Sequence, residues 1–365
     1  MENKRTVLIT GGAGFIGSHT VRHFVKKYPE YLIINFDVLT YAGNLENLTD
    51  IENAENYVFY QGDIRNITDI ETVFKKYNVT DVIHLAAESH VDKSISNPNV
   101  FVETNILGTA NLLNVAKNFW NADYNKHRFH HVSTDEVYGS LDMNPQNKFT
   151  ELTPYHPHSP YSASKASSDL LVQAYHDTDG LNTTISNCSN NYGPNQFPEK
   201  LIPLVLCCIM DSTDIPVYGT GENVRDWLYV EDHVNAIDLI FHNGKPGERY
   251  NIGGNNELTN IQIIDNIIIA YVNSVGNLDE LSYEELHSWI NILKHKKKFI
   301  ADRKGHDLRY AIDATKIKNE LGWEPTTKFN DGIMKTVKWY TSNPEWIEHV
   351  KTNEYKSWIA EQYKK

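Results

Sequence analysis

The chain has 365 residues, 40% of them hydrophobic and 22% charged, a balance that excludes collagen-like, low-complexity and wholly disordered proteins. Lys and Arg total 34 against 47 Asp and Glu, and the resulting charge of -13 argues against a nucleic-acid binder whose affinity rests on neutralising phosphates. The three cysteines, Cys188, Cys207 and Cys208, form no C-x-x-C pair, so neither a disulfide framework nor a metal site is expected, and a reducing, cytoplasmic setting fits.

The length predicts two domains. The N-terminus reaches a glycine turn after a short apolar stretch and so lacks a secretory core. The longest apolar run, IPLVLCCIM (202–210), is too short to span a membrane. In chain order, strands are predicted at TVLIT (6–10), YLIINFD (31–37), YVFYQGD (57–63), DVIHLAA (81–87), RFHHVST (128–134) and NTTISNCS (182–189). Helices are predicted at 15–28, 68–77, 99–119 and 161–177. This is the rhythm of an α/β, Rossmann-type doubly wound parallel sheet. Past residue 190 the rhythm breaks, which predicts a smaller mixed α/β substrate domain over 191–365 beside a cofactor domain over 1–190. A segment near 226–243, read as strand then helix, is expected to rejoin the first sheet. The stretch 278–298 reads as one amphipathic helix whose terminal lysines are a solvated end.

The first turn contains G-x-G-x-x-G and G-x-x-G-x-x-G, from Gly11 through Gly14 to Gly17 with Phe15 and Ile16 between. There the backbone approaches a pyrophosphate, which meets the N-terminus of the next helix. Alone the pattern is weak; the strand before it, the helix after it and Asp37 at the end of the second strand make it a dinucleotide site. Asp37 would accept the ribose hydroxyls and repel a 2′-phosphate, and Val38, Leu39 and Thr40 offer no Arg, so NAD is expected over NADP. Asp63 falls where adenine should lie, although a helix N-cap serves it as well. Leu85, Ala86, Ala87 and Ser89 would line the middle of the cofactor.

Tyr161 and Lys165 are one helical turn apart, so both lie on one face. An ammonium and a positive nicotinamide ring would favour the ionised phenol. The fifth strand ends in Ser133, Thr134, Asp135 and Glu136. Hydride transfer from an alcohol needs one base, whereas elimination of water needs a second base and an acid, so the adjacent carboxylates point to elimination unless they merely cap a turn.

The motifs TGGAGFIGSH, FDVLTYAGNLENL, HLAAESHVDKSI, STDEVYG, PYSASKASSD, NCSNNYGPNQFPEKLIP, RDWLYVEDH, YNIGG and DRKGHDLRYAID resemble those of nucleotide-sugar 4,6-dehydratases of the extended short-chain dehydrogenase/reductase family, from about residue 5 to 340. The resemblance implies a homodimer with tightly held NAD that turns a nucleoside-diphosphate-glucose, dTDP-glucose or UDP-glucose, into its 4-keto-6-deoxy sugar. It implies that Tyr161 takes the C4 hydroxyl proton beside Lys165 and Thr134, that Glu136 removes the C5 proton, and that protonated Asp135 delivers a proton to the C6 oxygen. It adds Ile64, Thr104 and Asn191 to the cofactor site. For the substrate it implies Ser89, Thr134, Asn190, Lys200, Leu201, Pro216, Val217, Tyr218, Arg225, Asn260, Asp302, Arg303 and His306. Val38 stands where relatives often have Lys, and Lys304 where they have Pro. Two other readings compete: a nucleotide-sugar 4-epimerase, which needs no Asp135–Glu136 pair, and an NAD-sensing module, which should lack the complete Tyr, Lys and carboxylate set.

Overall fold

Strands β1 (Thr6–Thr10), β2 (Leu32–Asp37), β3 (Tyr57–Gln61), β4 (Asp81–His84), β5 (Arg128–Thr134) and β6 (Thr183–Cys188) form at the predicted apolar runs. Between them run helices α1 (Phe15–Lys27), α2 (Ile67–Tyr77), α3 (Val91–Ser96), α4 (Pro98–Phe101), α5 (Thr109–Trp120) and α6 (Pro160–Asp179). The structure is a computed structural model and describes residues 5–275, 282–352, 355–357 and 359. The later elements are β7 (Asn190–Tyr192), α7 (Leu201–Met210), β8 (Ile215–Tyr218), β9 (Val224–Tyr229), α8 (Val230–Asn243), β10 (Arg249–Ile252), β11 (Glu257–Thr259), α9 (Asn260–Val275), α10 (Tyr283–Lys294), β12 (Lys297–Ile300), α11 (Thr315–Leu321), α12 (Phe329–Ser342) and α13 (Pro344–Val350).

The main sheet has seven strands in the order β10-β6-β5-β4-β1-β2-β3, and all its pairings are parallel. Alternation along β1 shows why the interior strands are apolar throughout. Val7 and Ile9 pack with Val21 and Phe24 of α1 and Ile237 and Phe241 of α8, whereas Leu8 packs with Ile70 and Phe74 of α2 and Leu112 of α5. Each such side chain, fully buried, contributes about 1.5–3 kcal/mol. The strand order reverses between β1 and β4, so a crevice opens at their carboxyl ends. The second region packs α7, α9, α12 and α13 over β8 and β12 around a core that includes Ile202, Leu206, Ile264, Ile268, Val337 and Tyr340.

Three expectations are corrected. The helix predicted over 99–119 is interrupted by a π-helical turn, Val102–Gly108, where buried Asn105 accepts the Glu88 N–H at 2.9 Å and donates to the Glu88 carbonyl and to Ser164 Oγ. In the segment 226–243 only the helix reaches the main sheet; the strand, within β9, pairs with β7 and β11 in a small separate sheet, and β10 supplies the returning edge instead. Within 278–298, residues 278–281 lie outside the described ones. The rest splits into α10, started by a Ser282–Glu285 capping box, and β12, which pairs with β8. Three of its four lysines are engaged: Lys297 Nζ lies 2.6 Å from Asp265, Lys294 Nζ 3.5 Å from the same carboxylate, and Lys296 Nζ donates to the Ser212 carbonyl, while Lys298 is exposed. The apolar run 202–210 is the buried body of α7, and no helix among the described residues is long and apolar enough to cross a membrane.

Candidate active site

A cavity of about 390 Å³ lies along the carboxyl ends of the main-sheet strands. Its floor is the glycine turn. Gly11 has φ +70°, and a Cβ there would sit 2.7 Å from the Ala86 nitrogen, while one at Gly17 would sit 2.0 Å from the Gly11 carbonyl oxygen. Only glycines allow α1 to begin hard against the turn, with Gly14, Phe15 and Ile16 lining the cavity beside them. Asp37, only 7% exposed, accepts the N–H of Ala13 at 2.9 Å and of Leu39 at 2.8 Å, which holds its carboxylate over the turn. Burial raises its pKa against those two bonds.

Val38, Thr40, Asp63 and Ile64 line the same end of the cavity, and Leu85, Ala86, Ala87, Ser89 and Thr104 its middle. Leu39 contributes its N–H to Asp37 and does not line the cavity. Asp63 is not a helix cap: Asn66 caps α2, and Asp63 accepts the Arg65 N–H at 2.8 Å and pairs with its guanidinium at 2.6 Å. A glycine floor no side chain could replace, a carboxylate at the end of β2 and a continuous run to the far wall fit a dinucleotide such as NAD.

At the far wall, Ser159 and Ser162 form a capping box that starts α6 and turns Tyr161 and Lys165 into the cavity. Lys165 Nζ donates to the Val132 carbonyl at 2.9 Å and lies 3.5 Å from His131 Nε2. One turn further, fully buried Asp169 meets His131 Nε2 at 3.2 Å and accepts from the Tyr155 hydroxyl at 2.6 Å and Asn187 Nδ2 at 3.0 Å. Asn187 also donates to the Thr134 carbonyl at 3.1 Å, so the network ties α6 to the end of β5. Burial lowers the Lys165 pKa, and Asp169 opposes that shift. The Tyr161 phenol is pushed well above its ordinary range by burial and by Glu136, Cys188 and Asp135, while a hydrogen bond from Thr134 pulls it down. The Lys165 ammonium is turned to the Val132 carbonyl.

The two carboxylates do not cap the turn they begin. Thr134 does, its Oγ1 accepting the Glu136 N–H at 3.3 Å. Asp135 is 1% exposed and leaves Oδ2 without a hydrogen-bond partner. Burial, then the charges of Glu136 and Asp226, hold it well above the usual carboxylate range, with Arg225 opposing. Burial raises Glu136 too, but Arg303, Arg225 and Lys200 all pull it back. Glu136 lines the cavity with Asn190, Asn191 and Lys200. The neighbouring acids thus meet unequal surroundings, and Asp135 keeps its proton longer.

The remaining predicted substrate residues lie outside that cavity lining. Tyr218 hydroxyl donates to Asp92 at 3.2 Å and its ring lies 6.2 Å from His306; Arg303 Nη1 is 3.9 Å from Asp92, and His306 pairs with Asp302 at 2.6 Å. Arg225 lies over the Tyr310 ring at 4.1 Å and donates to the Asp307 carbonyl. Val217, 2% exposed, sits in the second core with Leu201 packed against it, so only its backbone is left to meet a ligand. Pro216 lies on β8 opposite Lys298, and Asn260 donates its backbone N–H to Asn223. Sequence reasoning missed Glu88, Glu199, Gln196, Phe197 and Cys188, which line the cavity, and Asp92, which anchors Arg303. The motifs HLAAESHVDKSI and NCSNNYGPNQFPEKLIP hold all six of these residues, but nothing in their spacing shows which positions turn inward.

The family model described as GDP-mannose 4,6 dehydratase matches residues 8–336. The chain is 49% identical to the dTDP-glucose 4,6-dehydratase of Salmonella typhimurium over 98% of each chain. The crystal structure of dTDP-glucose 4,6-dehydratase from Bacillus anthracis in complex with NAD superposes with a TM-score of 0.80 at 44% identity, covering 95% of this chain and 100% of that one. That of the dTDP-glucose 4,6-dehydratase from Streptomyces venezuelae, with NAD and TYD bound, gives 0.83 at 43% identity with the same coverage.

Proposed function

We propose, from the premise that the chain belongs to the dTDP-glucose 4,6-dehydratase family, that it is an NAD-dependent hydro-lyase converting dTDP-glucose to water and the 4-keto-6-deoxy sugar. The observation that carries the reading is the adjacent pair at the end of β5, with Asp135 1% exposed and pushed up by burial and by the charge of Glu136, and Glu136 facing the cavity and moderated by three cations. A 4-epimerase would have no use for that pair.

NAD held by the glycine turn and Asp37 would supply the hydride acceptor for C4 of the sugar and the hydride donor for C6. Tyr161, helped by the Thr134 hydroxyl, takes the proton of the C4 hydroxyl. The ketone at C4 makes the C5 proton acidic, because its loss gives an enolate. Glu136 removes that proton, Asp135 protonates the C6 oxygen, and water departs. Glu136 then returns a proton to C5. Lys200, Arg225 and Arg303 are cations suited to the diphosphate, and Asp37, Asp63 and the glycine turn to the cofactor. On this reading residues 1–190 hold the cofactor and 191–365 most of the nucleotide sugar.

The homodimer is assigned to the outer face of α4 to α6. Val102 is 49%, Leu107 52% and Leu170 59% exposed on neighbouring helical segments, an apolar patch that a second copy would cover. Three unpaired cysteines support a cytoplasmic setting. The test is incubation of the pure protein with NAD and dTDP-glucose or UDP-glucose, followed by mass spectrometry. A product lighter by one water is expected from dTDP-glucose; an unchanged mass with inverted C4 would establish the epimerase instead.

A further inference from the structure

The loop after β2, residues 38–44, follows Asp37 and meets the ribose end of NAD on the reading above, on which this inference rests. Both its ends are fixed. Leu39 turns it with φ +58° and gives its N–H to Asp37 at 2.8 Å. Asn44 closes it by donating its N–H to the Ala13 carbonyl at 3.0 Å, and Gly43 packs so tightly that a Cβ there would sit 2.9 Å from Asp37 Oδ1. Thr40, Ala42 and Gly43 line the cavity from this loop, and Phe197 and Glu199 line it from the second region.

Tyr41, in the middle of the loop, joins the two. Its hydroxyl donates to Glu199 Oε1 at 3.2 Å, and its ring meets Phe197 edge-on at 5.4 Å. The other oxygen, Glu199 Oε2, accepts from Lys93 Nζ of α3 at 3.1 Å, and the same ammonium lies 3.2 Å from the centre of the Tyr41 ring. Three segments far apart in sequence thus close a triangle: phenol on carboxylate, carboxylate on ammonium, ammonium on ring face. Tyr41 is 37% exposed, but Glu199 only 5%, with His90 Nε2 4.0 Å away. A carboxylate so buried is stable only while its partners stay, so Tyr41 cannot swing outward without leaving Glu199 short of a hydrogen bond.

We propose that Tyr41, Glu199 and Lys93 form a clasp that ties the loop after Asp37 to the second region and sets how slowly bound NAD leaves. Tyr41 and Lys93 lie outside the cavity lining, so they are positioning residues that hold the loop rather than the cofactor. For the loop to lift from the cavity, the phenol must leave the carboxylate and the ring must leave the ammonium. The chemistry suits such retention. A protein that takes a hydride from C4 and returns it to C6 of the same sugar has no need to exchange its cofactor between turnovers, so a slow exit does not limit it.

The test loads the protein with radiolabelled NAD, chases with an excess of unlabelled NAD and follows the label retained on a filter. Tyr41→Phe keeps the ring and deletes the hydroxyl, so label should leave at least about fivefold faster, the scale of a hydrogen bond to a carboxylate at a partly exposed site. Glu199→Ala removes the centre of the clasp and should speed exit at least about tenfold. Because both lesions break one device, the double variant should release label no faster than Glu199→Ala alone. Ile317→Ala opens the core under α11 instead, and should lower the urea midpoint without speeding exit. Exit from Tyr41→Phe within about twofold of the unaltered protein, effects that multiply in the double variant, or equal speeding by Ile317→Ala overturns the clasp. If the unaltered protein takes up no NAD, the cofactor assignment itself fails, and the clasp with it.

Discussion

Replacing Asp169 by Asn tests whether the network behind Lys165 is electrostatic. Asp169 is fully buried, contacts His131 at 3.2 Å and receives hydrogen bonds from Tyr155 and Asn187. Burial would raise its pKa, but the bond to His131 and the charges of His131 and Lys165, with the Tyr155 hydroxyl, outweigh that and hold it below the usual carboxylate range. It is therefore an anion that touches His131, and the buried ammonium of Lys165, 3.5 Å from the same imidazole nitrogen, acts on it through the field without direct contact. Removing one member of a buried pair costs about 3–5 kcal/mol, because the other charge stays in a low dielectric. A loss of about 4 kcal/mol lowers the folding equilibrium constant roughly a thousandfold, which urea unfolding at neutral pH resolves. The contribution is present above the unfolded carboxylate pKa of about 3.9 and is lost as pH falls through the lowered folded value, so the gap between variant and unaltered protein should narrow in acid. The double variant Asp169→Asn, Lys165→Met should recover much of the loss. A single variant within about 1 kcal/mol of the unaltered protein, or a double variant worse than either single one, would refute the reasoning.

Glu136→Gln should leave C4 oxidation detectable as a transient reduced-cofactor absorbance yet stop solvent deuterium entering C5, while Tyr161→Phe should cut the oxidation itself by about 10²–10⁴. Normal product formation by Glu136→Gln would dismiss it as the base. Gly17→Ala places a methyl 2.0 Å from the Gly11 carbonyl oxygen, so the turn must open; NAD released from the heat-denatured protein should drop at least about tenfold relative to protein, and equal loading would show that the turn yields. Asp238 on α8 meets His23, Lys27 and Tyr28 of α1 and the following residue and His242 of its own helix, and these bonds, overcoming burial, hold its pKa far below the usual range. Its stabilisation exists above the unfolded carboxylate range and fades as pH falls towards that low value, so Asp238→Asn should flatten the acid limb of stability against pH; an unchanged limb counts against the assignment.

Part of the site was legible because its residues follow one another at strand ends, where period and turn chemistry fix direction: Gly11, Gly14, Gly17, Asp37, Thr134 and Glu136 all line the crevice. What stayed hidden depends on contacts between distant segments. Nothing about His131 or Asp169 in sequence announces that they meet beside Lys165, and a four-residue spacing could not reveal that the Lys165 ammonium turns to Val132. The π-helical turn at 102–108 escaped because its cause, Asn105 gripping Glu88 and Ser164, is tertiary. The lysines after α10 were misread because a charge run looks the same whether it ends a helix or enters a strand; pairing with β8 decided it.

That β10 and α8 complete the main sheet has a consequence for how this chain is made and how it tolerates truncation. A ribosome that has just released Cys188 leaves one side of β1 uncovered until Ile237 and Phe241 emerge, and the outer edge of β6 bare until Arg249–Ile252 come after them. Cutting at the apparent seam near 190 would yield a sticky fragment with an unfinished border rather than an autonomous half, so the two lobes are committed to fold as partners in a single cooperative event.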